Sequence, residues 1–395
     1  MKSEVIVPQG NSDAESDDQS ALRSFFGTAA LMVAHCAGML DLVALPVWVG
    51  TLTSAYKLDP QRAGGLVSCF LLGIVLSSCF FAPRLNRIRH RIAIPAGYAA
   101  AALVFVGCAI ATLYLALAGL HFVAGIAIGC SLSLTHGVIG HSRNPHKLFA
   151  IVGLALGVFA IAFLSAAPVA IAQQGGNTLF KVFAAIMAVA AVVTAVAFPA
   201  MKAKSQISQI EAPFSKAVWF GMIGVSCMAL NQAMLFSFVL RIGLDRGFGI
   251  TAVTSVLIAL GLVNLFPSPL AAFLQRRVPA RSVVLIGPLI QRTLALTICL
   301  SSTFKPYALA TAVFPAVMIF THTFAFGALA QIDRSGRAVA ATPVMLMTGA
   351  AIGPILGGSV VRFLGYGSLG MIAALMAVIA VACFSRLAVA SMRGQ

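Results

Sequence analysis

Twelve apolar stretches, each long enough to cross a bilayer, run almost end to end through this chain, and of its ten carboxylates only Asp41 falls inside one of them. A helical segment needs about 20 mainly apolar residues to span the hydrocarbon core. A soluble fold could not hide so many. Hydrophobic residues make up 60% of the 395 and charged residues 9%, against roughly 25% charged in an ordinary soluble domain. Lipid replaces water around such segments, and each must then satisfy its own backbone polar groups. The chain therefore reads as an all-α integral membrane protein with twelve transmembrane helices.

The spans are expected at about 23–49, 62–82, 92–110, 112–139, 148–172, 179–200, 217–240, 250–274, 282–302, 307–330, 338–362 and 368–389. Ala111 and Thr112 hardly interrupt the apolar run, but residues 92–139 are too long for one crossing and right for two. With the amino terminus inside, 18 of the 26 Lys and Arg fall on the inner side, 7 on the outer side, and Arg292 remains within a span. That bias places both termini in the cytoplasm of an inner (plasma) membrane. The net charge of +16 is spread over the loops, so it fits membrane topology and not nucleic acid.

Residues 1–22 carry Glu4, Asp13, Glu15, Asp17 and Asp18 ahead of any apolar run and read as a disordered acidic cytoplasmic tail. Residues 201–216, with Lys202, Lys204, Glu211, Pro213 and Lys216, read as a cytoplasmic linker. It separates a six-helix bundle at 23–200 from a second at 217–395. Six plus six around a linker is the plan of a carrier built from repeats, with its site between the halves.

At this point the sequence resembles the major facilitator superfamily over residues 23–389. The second span ends in Pro83-Arg84-Leu85-Asn86-Arg87-Ile88-Arg89-His90-Arg91, similar to that family's Asp-Arg-x-Gly-Arg-Arg signature. Pro83 and Asn86 stand where Asp and Gly are expected. The fourth span, His121-Phe122-Val123-Ala124-Gly125-Ile126-Ala127-Ile128-Gly129, resembles an Arg-x-x-x-Gly-x-x-x-Gly pattern with His for Arg. The eleventh span holds Gly349, Gly353, Pro354, Gly357 and Gly358 as GxxxGPxxGG, the pattern of the family's proton antiporters, here in the symmetry-related span. Close helix packing in lipid explains the same glycines. The resemblance implies two pseudo-symmetric bundles, a cavity lined by spans one, four, seven and ten, and gating or packing roles for Arg84, Arg87, Gly349, Gly353, Pro354 and Gly357. Asp333-Arg334-Ser335-Gly336-Arg337 reads as inner-loop charge and helix capping.

Depth follows from a rise of about 1.5 Å per residue. His35, His322 and Arg292 are expected near the midplane, about 13–16 Å from the inner end, and Asp41 and His121 higher, at about 25–28 Å. A carboxyl in a partly dry site can load and release a proton near neutral pH. Asp41, with His35 and His121, is therefore the candidate for proton coupling; a fixed pair between Asp41 and His121 is the structural alternative. Arg292 could hold a substrate carboxylate in a bidentate way, or bond helix carbonyls. His322, Asn231, Gln232 and Thr321 could orient a polar ligand, or bond between helices. His136 reads as interfacial, like His141 and His146.

The eight cysteines form no CxxC pair and read as small packing residues. Neither HExxH, GxSxG nor a GxxxxGK[ST] loop occurs, so neither an enzyme, a cofactor, a metal nor ATP-driven pumping is expected. The partners expected are a small-molecule substrate, protons and the bilayer, with the chain a monomer. The reading is a secondary carrier working by alternating access, in proton-coupled uptake of a small organic anion. The alternative is proton-antiport efflux of amphipathic compounds.

Overall fold

The computed structural model describes residues 25–393 apart from 141, 143–144, 200–213, 276, 334–337 and 339–341; at 82–83, 86, 145–147, 272, 342–343 and 388–393 it describes the backbone alone. The acidic tail, most of the linker, Arg334–Arg337 and His141 lie outside the described residues, as do the side chains of Pro83, Asn86 and His146.

The described residues hold twelve helices long and apolar enough to cross a membrane. They are α1 (Phe25–Ser54), α2 (Pro60–Phe81), α3 (His90–Ile110), α4 (Tyr114–Gly140), α5 (Leu148–Gln174), α6 (Thr178–Ala197), α7 (Lys216–Asp245), α8 (Ile250–Ala271), α9 (Ala280–Leu300), α10 (Phe304–Ile332), α11 (Val344–Leu364) and α12 (Gly367–Leu387). The chain does leave the helix between Ile110 and Tyr114. The N-cap of α7 is built by Ser215, whose Oγ accepts the Val218 N–H at 3.4 Å.

Two helices are broken. In α1 the backbone leaves the helical region at Met39 (φ −103°, ψ 22°) and resumes at Leu40. The Tyr98 hydroxyl reaches in beside the break and donates to the Ala34 carbonyl at 2.5 Å. Gly38 leaves it room, since an added Cβ would stand 3.1 Å from that oxygen. In α8 the break spans Asn264–Phe266 and the helix restarts at Pro267. Pro267 and Pro269 have no N–H to donate, so the ladder stops there.

The helices α1 to α6 form one bundle and α7 to α12 the other. Within the first, α2 packs on α4 and α3 on α6; within the second, α7 packs on α11 and α9 on α12. The bundles meet chiefly through α2 and α11, with smaller contacts of α1 on α7 and α5 on α8. The α2–α11 and α5–α8 contacts are counterparts under a two-fold relation of the halves. Successive spans alternate in direction, so the start of α1 at Phe25 and the end of α12 at Leu387 lie at one end of the molecule. That end is the terminal side below, and the opposite end the far side.

Glycine sets the closeness of these contacts. The α11 glycines divide into two rows. Gly349, Gly353 and Gly357 lie against α7, where an added Cβ would strike Ser226, Met234 and Phe238. Pro354 and Gly358 lie against α2: the Pro354 carbonyl abuts Gly64, and Gly358 abuts the backbone of Pro60 and Gln61. One row therefore holds the second bundle together and the other joins the two bundles. In α4, Gly125 and Gly129 let the backbone of α2 approach at Phe70 and Ile74.

Candidate functional site

The joint between bundles is tight on the far side. Ser68 accepts the Ile355 N–H at 3.1 Å. The Arg362 guanidinium donates to Gln61 at 2.6 Å and lies 3.8 Å from Asp59. Gly50 of α1 meets Leu240 of α7. All three of these polar contacts join α2, or the residue just before it, to α11.

The same helix faces come apart toward the terminal side. The face of α2 that carries Gln61, Gly64 and Ser68 continues, by helical period, through Leu72 and Cys79. These two are exposed. On α1 the face that meets α7 at Gly50 continues through Met39, Cys36 and Met32, all half-buried. The α1–α7 and α2–α11 faces thus form a wedge, closed on the far side and open on the terminal side, while α5 and α8 stay in contact at Ile161–Gly261 and Gly157–Leu265.

Asp41 lies beside the midpoint of α1, deeper than a helix ending near residue 49 would place it. It stands in the first turn after the break, where the N–H groups of Asp41 and Leu42 face its carboxylate. It is 4% exposed, and its Oδ1 has no hydrogen-bond partner. By helical period it shares a face with Trp48. Trp48 packs against Phe70, Phe105 and Phe183 inside the first bundle. Asp41 therefore turns into that bundle and away from the wedge. Helix breaks of this kind supply ion sites in carriers built from repeats.

His121 is not the partner of Asp41. Its Nε2 accepts from the Trp48 indole N–H at 3.3 Å, and its Nδ1 lies 2.7 Å from the Leu117 carbonyl. The pairing fixes a neutral tautomer with both nitrogens satisfied. His121 is fully buried and packs edge-to-face on Phe180. It has the surroundings of a structural residue.

His35 pairs with His136, a residue expected at the interface. His35 Nδ1 and His136 Nε2 are 3.0 Å apart, with ring centroids at 5.1 Å. One ring donates and the other accepts. His136 is half-buried and touches Phe149 of α5. The pair flanks the Met32–Cys36–Met39 row on α1, on the terminal side of Asp41.

In the second bundle, Arg292 does not enter the central region. It is exposed on α9, whose packed face carries Val284, Pro288, Gln291 and Ala295. The inward group is the preceding residue, Gln291, which donates to the Met228 carbonyl at 3.2 Å. Asn231 donates to Ala373 of α12 at 3.0 Å, a bond within the bundle. Thr321 donates to Val317 at 2.7 Å and packs on Gly287 of α9, so it faces α9. Gln232 is buried and His322 half-buried against Phe326. Four buried polar atoms near mid-depth have no partner: Asn231 Oδ1, Gln232 Oε1, Gln291 Oε1 and His322 Nδ1. Such a layer is where a polar ligand or water would repay its desolvation.

Among the described residues, Arg84 contacts its own helix end. It donates to the Phe80 carbonyl at 2.8 Å and stacks on the Phe80 ring at 4.0 Å. Arg87 is exposed at the end of the 3₁₀ turn Ala82–Arg87.

Compared by sequence, no curated protein matches the chain. Solved structures do match in fold. The nucleoside transporter NupG superposes with a TM-score of 0.72 at 15% identity, over 92% of this chain and 98% of its own. A D-xylose-proton symporter gives 0.71 at 14% identity, over 91% and 97%. A bacterial homolog of the human lysosomal transporter Spinster, inward-facing and unoccupied, gives 0.65 at 14% identity, over 94% of each chain. The family model that matches is that of the Major Facilitator Superfamily, over residues 30–332. With twelve spans in two bundles related by a two-fold, a wedge between them and a family match over most of its length, the chain belongs to the Major Facilitator Superfamily.

Proposed function

We propose that the chain is a secondary transporter that works by alternating access, with protons as the coupling ion. The observation that carries this reading is the wedge: faces of α1 and α2 sealed against the other bundle on the far side are accessible on the terminal side. With both termini in the cytoplasm this is an inward-open state. Rocking the bundles about mid-depth would seal the terminal side and break the contacts of Arg362 and Ser68.

The first bundle supplies the proton path. The imidazoles of His35 and His136 take a proton from the wedge, and Asp41, six residues on, holds it at mid-depth. Six helical residues are about 9 Å, a distance that one or two waters bridge. The second bundle supplies the substrate contacts, from Gln232 and His322, with Asn231 and Gln291 as the layer behind them. Imidazole and amide donors suit a small organic anion, and its uptake with a proton leaves the site neutral. A second reading is export of amphipathic compounds, favoured by the apolar Met32–Met39 row that α1 presents to the wedge.

Proteoliposomes loaded at one pH and diluted into another test the reading. A pH gradient is expected to drive accumulation of one member of a panel of carboxylates. Asp41→Asn is expected to stop that accumulation while substrate exchange continues. Accumulation of lipophilic cations in place of carboxylates would favour export. Normal pH-driven accumulation by Asp41→Asn would end the proton role of Asp41.

A further inference from the structure

One cavity in the second bundle is not part of the wedge. A groove of about 370 Å³ runs between α8, α9 and α10. Its floor is α10, which packs against both α8 and α9. Two local features open it. The helix of α8 breaks between Val263 and Pro267 along its wall, and Gly287 on α9 puts no side chain into the space beside Thr321. Phe266 and Leu270 on one wall and Ile286 and Ile290 on the other are exposed. Apolar groups bare on the outer surface of a membrane helix bundle meet lipid. Only Ser282 and Thr321 among the lining residues carry polar side chains.

The terminal-side mouth has the opposite character. Arg277 and Arg281 directly precede the lining residues Val278 and Ser282. Both arginines are exposed. Arg277 is steadied by stacking on Phe273, just beyond the end of α8, 4.8 Å from the ring centroid. An apolar slot with two cations at its membrane-surface end matches an amphiphile with an anionic head.

We propose that this groove is a binding site for an anionic phospholipid of the adjacent leaflet. One acyl chain would lie along Leu270, Ile286 and Ile290, and the phosphate would meet Arg277 and Arg281. The site is separate from the central path, so it concerns stability or rate rather than the transported substrate. Each basic residue near a bilayer surface contributes on the order of five-fold in affinity for anionic lipid. Removing both should therefore cost roughly ten- to thirty-fold.

The test is native mass spectrometry and thermal unfolding of the detergent-purified chain with added phosphatidylglycerol or phosphatidylcholine. The wild type is expected to retain one phosphatidylglycerol in preference and to melt at higher temperature with it. Arg277→Gln with Arg281→Gln should lower phosphatidylglycerol retention to the level of phosphatidylcholine. Ile286→Trp, which fills the slot from its rim and leaves both arginines, should also abolish it. Equal retention of the two lipids, or retention unchanged by either variant, would overturn the proposal. So would a dimer in which a second copy covers the groove. If the double variant fails to fold, Ile286→Trp alone decides, since its substitution lies on a lipid-facing surface.

Discussion

His121 joins the indole of Trp48 to the backbone of α4 at the centre of a ring of aromatic side chains. Replacing it with Phe keeps the packing but strands the Trp48 N–H in a dry interior, at a cost of about 1–3 kcal/mol. His121→Phe should therefore lower the melting temperature in detergent, while the pH dependence of flux stays as in the wild type. The His35–His136 pair makes the converse prediction. Gln at either position can still bond its neighbour but cannot carry a proton, so His35→Gln and His136→Gln should melt normally and show a flattened pH profile of uptake. An unchanged profile in both would remove the pair from the proton path. The sequence revealed His35 and His121 as polar groups in apolar spans. It did not reveal which was sealed, because that depends on Trp48 arriving from 73 residues away. Gln291 was missed for a related reason. Arg292 is the more conspicuous outlier in the chain, yet one residue of helix rotation, about 100°, decides which of the two points inward.

At the scale of one helix, α11 carries two functions on two faces. Gly353 lies against Met234 and Ala233 of α7, within one bundle. Gly358 lies against Pro60 and Gln61 of α2, across the joint. Gly353→Leu should prevent assembly of the second bundle, seen as loss of a monodisperse peak on purification. Gly358→Leu should leave the bundle intact and open the far side. Modification of a cysteine placed at Gln61 by a membrane-impermeant thiol reagent, in a cysteine-free background, would report that opening. Slow modification in both would mean that the far side does not part at α2–α11. The GxxxGPxxGG string was legible in the sequence, and so was its packing role; its division between two partners follows from the 3.6-residue period only once both neighbours are known. The breaks in α1 and α8 illustrate the same limit. Pro267 and Pro269 announce the second. The first comes from a tyrosine of α3 bonding the Ala34 carbonyl, which no local pattern records.

For the molecule as a whole, the far-side clamp of Arg362 with Asp59 and Gln61 is exposed to solvent, at 46% and 32% for the ion pair. Exposed pairs are worth about 0.2–1 kcal/mol. Arg362→Ala should thus shift the balance of inward- and outward-open states by at most roughly five-fold. Distance distributions between spin labels on the two far-side rims would measure it, and a complete switch would show that the clamp dominates closure. The distribution of Lys and Arg makes a further prediction: a reporter fused to either terminus should be protected in intact cells and accessible in inverted vesicles. The reverse pattern would make the wedge outward-facing.

What the sequence determined by itself was everything set by solvent preference and period: twelve spans, their alternation, the division into six and six, the short list of polar groups buried in lipid and the glycines that let helices touch. These are one-dimensional properties, because hydrophobic length and backbone self-satisfaction act on each segment separately. Which polar groups meet, which face lipid, and on which side the halves are shut were decided only by the tertiary structure. Those outcomes depend on the rotation and tilt of each helix against its neighbours, and a few tens of degrees there exchange a sealed histidine for a paired one, or a buried glutamine for a bare arginine.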